Sequence, residues 1–283
     1  MENDNEPKVW LVTGASRGLG RAICDAVQAR GDRLVRTMRT PGGSIAGGPA
    51  DGEHELVVPL DVTDAASAEA AVAAAERRFG RIDVLVNNAG YGVLGGVEEV
   101  GADEARRLLA TNVEGVLNVL RAALPGMRRQ RSGHVVNISS LGGFSAAAGW
   151  GVYNASKFAV EGLSEALAQE LAPLGIRVTI VEPGYFRTDF LSSGSLVRAA
   201  LAIGDYQATV GKMVDTASSF SGRQPGDPAR AAAAIVDMVH SGKAPLRLPL
   251  GADAHDRIQA KLAAVKANLD EWREVSLSTA FVE

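Results

Sequence analysis

Short runs of valine, leucine and isoleucine recur at 9–12, 34–35, 56–60, 84–86, 135–138 and 178–181, each followed by a stretch of helical periodicity or alanine-rich composition. The intervening helices read as 18–29, 64–79, an interrupted pair across 103–129, and 150–171, with Pro173 and Gly175 stopping the last. This alternation predicts a three-layer α/β architecture, a doubly wound parallel sheet between two layers of helices.

The rhythm breaks after residue 181. Pro183-Gly184 is followed by a segment rich in serine and alanine over 191–221 and a turn at Arg223-Gln224-Pro225-Gly226-Asp227-Pro228. We read 185–225 as a helical lid, 228–240 as a helix capped by Asp227, 246–248 as a short strand and 252–272 as a charged amphipathic helix. No repeat or linker divides the chain, and the glycine-rich stretch 41–52 reads as an internal loop. The expectation is one domain over 1–283, with a core at about 8–250, the lid, and a helical tail over 252–283.

Composition narrows the function. Hydrophobic residues make up 46% and charged residues 22%, with 32 glycines, which suits an α/β enzyme and argues against disorder. The net charge of −4, without a long basic run, makes nucleic acid and anionic membranes poor partners. The only cysteine, Cys24, lies in an apolar helical stretch and reads as a structural thiol in a reducing compartment. A polar, acidic N-terminus and the absence of any window of roughly 18 apolar residues predict a cytoplasmic protein. Histidines at 54, 134, 240 and 255 lack ligand-like spacing, so no metal is expected.

The first strand runs directly into Thr13-Gly14-Ala15-Ser16-Arg17-Gly18-Leu19-Gly20 and then a helix. Backbone N–H groups and a helix N-terminus would face whatever lies beyond the strand, which suits a pyrophosphate. The spacing differs from the G-x-G-x-x-G of the common dinucleotide fingerprint. Asp61 closes the third strand, where it could accept from an adenine amine, and Asn87-Asn88-Ala89-Gly90 closes the fourth. The second strand ends in Met38-Arg39-Thr40, without the acid that would hold a ribose 2′-hydroxyl. Arg17 and Arg39 could instead pair with a 2′-phosphate, which favours NADP(H) over NAD(H).

Tyr153 and Lys157 are four residues apart in a helical stretch and therefore share a face. A phenol titrates near ~10, and a neighbouring ammonium and an oxidised nicotinamide favour its ionised form. Such a pair is common on ordinary helices. Ser140, at the end of the strand 135–140, supplies a second polar group where open α/β sheets bind ligands. Ser139 competes for that role.

With Thr13-Gly14-x-x-x-Gly18-x-Gly20, Asn87-Asn88-Ala89-Gly90, Asn112, Ser140, Tyr153-x-x-x-Lys157 and Pro183-Gly184 in this order, the sequence resembles the single-domain short-chain dehydrogenase/reductases over roughly 8–250. The resemblance implies a Rossmann-like fold and an NADP(H)-dependent oxidoreductase that interconverts a ketone or aldehyde and its alcohol. It implies that Ser140 binds the substrate oxygen, Tyr153 is the general acid/base, Lys157 binds the nicotinamide ribose and lowers the tyrosine pKa, and Asn112 positions a relay water through its backbone carbonyl. It places the cofactor on Gly14, Ser16, Arg17, Gly18, Leu19, Gly20, Arg39, Asp61, Val62, Asn88, Ala89, Gly90, Tyr153, Lys157, Pro183, Gly184 and Thr188, the last at the carboxamide.

Phe144, Trp150, Tyr185 and Phe190 are the expected substrate contacts, with a small carbonyl or alcohol as partner. Homodimers or homotetramers are common in the family, with the helices at 103–129 and 150–171 as the expected surfaces. Two rivals fit less well. A non-catalytic NADP(H)-binding redox sensor would not need Asn112, Ser140, Tyr153 and Lys157 together, and the related epimerases and dehydratases carry a different glycine spacing and a larger C-terminal domain.

Overall fold

The computed structural model describes residues 7–40, 52–192 and 194–281. The reading of 41–52 as a loop falls outside them except at Gly52, as does the polar N-terminus through residue 6. Strands β1 (Val9–Val12), β2 (Arg33–Met38), β3 (Glu55–Pro59) and β4 (Val84–Asn87) form half of the principal sheet. A short strand β5 (Gly92–Leu94) leaves it, and β6 (Gly133–Ile138) and β7 (Ile176–Pro183) return to it. After β8 (Leu196–Arg198), which pairs only with β5, the strand β9 (Arg247–Leu250) completes a seven-stranded sheet in the order β3-β2-β1-β4-β6-β7-β9. Every pairing in it is parallel.

Parallel neighbours need crossovers, and the helices supply them. The described helices are α1 (Gly18–Ala29), α2 (Ala65–Phe79), α3 (Ala102–Leu109), α4 (Gly115–Gln130), α5 (Gly151–Leu171), α6 (Lys212–Phe220), α7 (Pro228–His240), α8 (Ala252–Glu271) and α9 (Arg273–Leu277), of which α8 and α9 follow the last strand and are not crossovers. Alternate strand residues feed two cores. Val9, Leu11, Leu85, Val135 and Val178 pack beneath α2, α4 and α5, whereas Trp10, Val12, Val84, Val86, Val136 and Val181 pack beneath α1 and α7. Buried Cys24 lies in the second core, as expected of a structural thiol.

Local chemistry accounts for the boundaries. Asp64 accepts from Ala66 N at 2.9 Å and Asp227 from Ala229 N at 2.8 Å, capping α2 and α7. Beyond α5 a short 3-10 turn ends at Gly175, whose φ of +72° is the left-handed conformation that suits glycine. The interruption read within 103–129 is a π turn at Ala110–Glu114, so the helix widens around Asn112 instead of breaking.

The region after β7 is helical over 204–220, as expected, and adds a strand that the sequence does not show. It contains β8 and short turns before α6, and Gly92 N donates to Ser195 O and Ala199 N to Leu94 O, both at 2.9 Å. A three-residue strand has too little pattern to be read from sequence; its partner β5 supplies the missing reason. In the tail, Ala254 and Ile258 are buried, while the residues from 259 to 281 are exposed.

Candidate active site

The chain enters at β1, builds β2 and β3 on one side, then crosses to β4 on the other. A cavity of about 740 Å³ opens at this reversal, off the carboxyl ends of the strands. The glycine-rich loop over 13–20 forms one wall. Gly14 and Gly18 take φ of +64° and +57°, and a Cβ on Gly14 would sit 2.8 Å from Ala89 Cα. Ser16, Arg17 and Leu19 line the same wall.

Gly20 does not line the cavity; it lies behind the loop, where a Cβ would approach Asn88 Nδ2 to 2.3 Å. That space admits the Asn88 amide, which donates to Thr13 O at 2.9 Å and Gly14 O at 3.1 Å and so ties the end of β4 to the loop. Glycine is needed here for close approach, so Gly20 shapes the cradle instead of touching its contents.

The next wall holds Arg39, Asp61, Val62, Ala89 and Gly90. Asp61 accepts from Thr63 N at 3.0 Å and Thr63 Oγ1 at 2.8 Å, and these bonds hold its carboxyl below the usual range. Arg39 is exposed beside it. Arg17 donates to Gly194 O across the cavity, linking the loop to the segment before β8. Pro183, Gly184 and Thr188 also line the wall; a Cβ on Gly18 would be 3.6 Å from Thr188 Cβ.

At the inner end Ser140, Tyr153 and Lys157 converge. Both serines line the cavity but face different partners: Ser140 Oγ accepts from Gly142 N at 3.0 Å and faces Tyr153, while Ser139 faces Glu161. Burial pushes the Tyr153 phenol up to about 12, with Ser140 acting in the opposite direction. Lys157 donates to Ile138 O at 2.9 Å, and its Nζ stands 6.0 Å from the Tyr153 ring centre. Burial brings the ammonium down to about 8, opposed by Glu161. Desolvation therefore dominates the phenol, against the lowering expected from Lys157.

Asn112 is 1% exposed and stands behind this wall. Its Oδ1 accepts from Tyr91 N at 3.1 Å, and its Nδ2 donates to Tyr91 O and Ser156 Oγ at 3.0 Å each. Ser156 donates in turn to Tyr153 O at 2.7 Å, so the side chain joins the β4–β5 turn to the helix that carries the tyrosine.

Trp150, Tyr185 and Phe190 also line the cavity. Trp150 meets Tyr153 edge-on at 5.6 Å between ring centres, and Phe190 stacks on Trp150 at 6.5 Å. Phe144 does not line it: its ring lies under the Arg247 guanidinium at 5.5 Å, because the turn after β6 directs it away from Tyr153. Two contributors from the tail escaped the sequence reading. Asp253 accepts from Tyr185 N at 2.7 Å, and Arg257 lines the cavity while donating to Ser145 O at 2.9 Å. Their sequence signal is only a charged helix start; β9 brings it to the site.

Beneath Lys157, one turn further along α5, lies Glu161, 5% exposed. Arg247 Nη2 reaches Glu161 Oε2 at 3.0 Å and Glu165 Oε1 at 2.6 Å, and its Nε is 3.1 Å from Glu182 Oε1. Burial pushes Glu182 up to about 7, with Glu161 adding to the rise and Arg247 opposing it. The spacing Tyr153, Lys157, Glu161 was the available signal.

Among known proteins, the family model of the short chain dehydrogenases matches residues 8–196. The chain is 38% identical over 274 residues to oxidoreductase BOA17 of Botryotinia fuckeliana (strain B05.10), covering 96% of this chain and 99% of that protein. A short-chain dehydrogenase from Streptomyces avermitilis superposes with a TM-score of 0.89 at 45% identity, over 98% of this chain and all of that one (100%). The 3-ketoacyl-(acyl-carrier-protein) reductase from Brucella melitensis, solved in complex with NADH, gives 0.71 at 27% identity, covering 87% of this chain and 97% of the other.

Proposed function

The chain belongs to the short chain dehydrogenases, an oxidoreductase family, and from that membership we propose that it interconverts a ketone or aldehyde and the corresponding alcohol by hydride transfer with NADP(H), Tyr153 acting as general acid/base. The observation that carries the reading is Tyr153 itself. It is 7% exposed, faces Ser140 and stands between the glycine-lined wall and the aromatic wall of one cavity.

The protein's own groups divide the work. Gly14, Ser16, Arg17, Gly18 and Leu19 would hold the pyrophosphate at the start of α1, where the glycines leave a cradle that a Cβ on Gly14 would disturb. Asp61 and Val62 would meet the adenine, and Asn88, Ala89, Gly90, Pro183, Gly184 and Thr188 the nicotinamide side, with Asn88 acting through the loop that it braces. Lys157 would bind the ribose, and Asn112 would hold the relay geometry. The bound nicotinamide supplies the hydride chemistry.

Ser140 would orient the substrate oxygen. The Tyr153 phenol, which ordinarily titrates well above neutral pH and is pushed further up by burial, stands in the form that donates a proton as a carbonyl is reduced. In the reverse direction it must first lose that proton, which favours a higher pH. Trp150, Tyr185 and Phe190 offer an apolar surface to the remainder of the substrate. The NADP(H) preference rests on Arg39 and on the lack of an acid at the end of β2; the relative from Brucella melitensis was solved with NADH.

The same reading takes the enzyme as metal-free and cytoplasmic. It assembles as a homodimer or homotetramer through α3–α4 and α5, where Leu109 and Phe158 remain exposed at 39% and 44%. Among the described residues, no helix is long and apolar enough to cross a membrane.

The test is NADPH oxidation against a panel of ketones and aldehydes. Tyr153→Phe should lower turnover by about 100-fold or more while NADPH binding, followed by its fluorescence, stays within about threefold. Turnover equal to the parent protein would overturn the assignment.

A further inference from the structure

Lys157 is an ammonium 6% exposed to solvent, and among the described residues its hydrogen-bond acceptor is the neutral carbonyl of Ile138 at 2.9 Å. A buried cation needs a counter-charge or it gives up its proton. The Tyr153 phenol does not supply that charge, because it titrates well above neutral pH. Glu161 lies on the same helical face one turn beyond Lys157, itself buried, and on its other side it is held by Arg247 at 3.0 Å.

We infer that Glu161 is a positioning residue of the active site, the counter-charge that holds the Lys157 ammonium in place, and that Arg247 anchors it from β9. The inference rests on the reading of Lys157 as part of the catalytic set. The charged and titratable groups facing Glu161 are Lys157 and Glu165 from its own helix, Glu182 from β7 and Arg247 from β9; the segment after β6 contributes the Ser139 hydroxyl. Tyr153 stands one further turn away, beside Lys157.

The arrangement has a clear division of charge. Arg247 contacts three carboxylates, of which Glu165 is half exposed and Glu182 is fully buried. Burial raises both the Glu182 carboxyl, to about 7, and the Glu161 carboxyl; for Glu161 the Ser139 hydroxyl and the Arg247 guanidinium at 3.0 Å act in the opposite direction and favour a charge one turn from Lys157. Lys157, brought down to about 8 by burial, stays charged at neutral pH only narrowly, and Glu161 is the group that opposes its loss of the proton. Phe144, stacked beneath Arg247, closes the cluster on one side.

The experiment follows the Lys157 titration directly, by NMR of protein labelled with carbon-13 at the lysine ε position, with Lys157→Met to assign the signal. Glu161→Gln should move the Lys157 midpoint down by about one pH unit, whereas Glu165→Gln, at an exposed position, should leave it unmoved. Glu161→Asp should restore it in part. The alkaline limb of the NADPH-dependent turnover should move with the midpoint. Glu161→Met, which fills the volume without a polar head, serves if Glu161→Gln does not fold, with the same expectation.

A midpoint unchanged in the folded Glu161→Gln or Glu161→Met protein overturns the inference. The reading of the site fails separately: Tyr153→Phe at parental turnover would remove the catalytic assignment, whatever the lysine midpoint does.

Discussion

Tyr153 shows how a single side chain acquires its chemistry from its surroundings. A helix brings Lys157 to the same face, yet burial dominates and pushes the phenol up to about 12. Arg39 is the opposite case, an exposed cation whose meaning depends on what enters the cavity beside it. Arg39→Asp should weaken NADPH about tenfold or more and leave NADH nearly unchanged, as measured by KM for each nucleotide. Equal losses for both would show that Arg39 does not read a 2′-phosphate. Gly14, Gly18, Ser140, Tyr153 and Lys157 were legible from sequence because each carries an irreplaceable property at a motif spacing. Gly20 was legible only as a glycine, and its use, admitting the Asn88 amide, required the two chain segments to be in contact.

At the scale of elements, the cavity is covered by a segment held to the body through backbone hydrogen bonds rather than by packed helices alone. The β5–β8 ladder is one attachment, the Arg17 bond to Gly194 O a second, and Glu99 a third. Its carboxylate accepts from Gly96 N at 2.7 Å and from Ile203 N at 2.8 Å, joining the loop after β5 to the segment after β8. Glu99→Ala should loosen this cover, raising the substrate KM by roughly fivefold with a smaller change in kcat, and should speed proteolytic cleavage within 194–207. An unchanged cleavage rate would count against the clamp. The helices of the core were readable because their apolar positions repeat over many turns and their ends carry Asp64, Asp227 and Gly175. The strands β5 and β8 were not, because three residues hold no period and a strand exists only with its partner.

At the scale of the whole molecule, the charge cluster around Arg247 joins α5, β7 and β9 behind the active site and makes stability depend on pH. The pKa of Glu182 is raised from an ordinary carboxylate value of 4.5 to about 7. The folded state therefore binds its proton more tightly than the unfolded chain. Its contribution is fully present below the ordinary value and is lost as pH rises through about 7. Thermal melts of the parent protein and Glu182→Gln should accordingly converge near pH 5 and separate by pH 8, with the variant the more stable at the higher pH; a constant difference across that range would refute the titration. By itself, the sequence determined the parallel sheet, its helical layers and the motif residues, because apolar period, end caps and spacing along one helix are local properties of a chain. Only the tertiary structure decided that Phe144 faces Arg247 instead of the cavity, that Asp253 and Arg257 return from the tail to the site, and that Glu161, Glu182 and Arg247 meet behind Lys157. Those contacts join residues far apart in the chain, and whether a charge is exposed or buried is set by everything that folds around it.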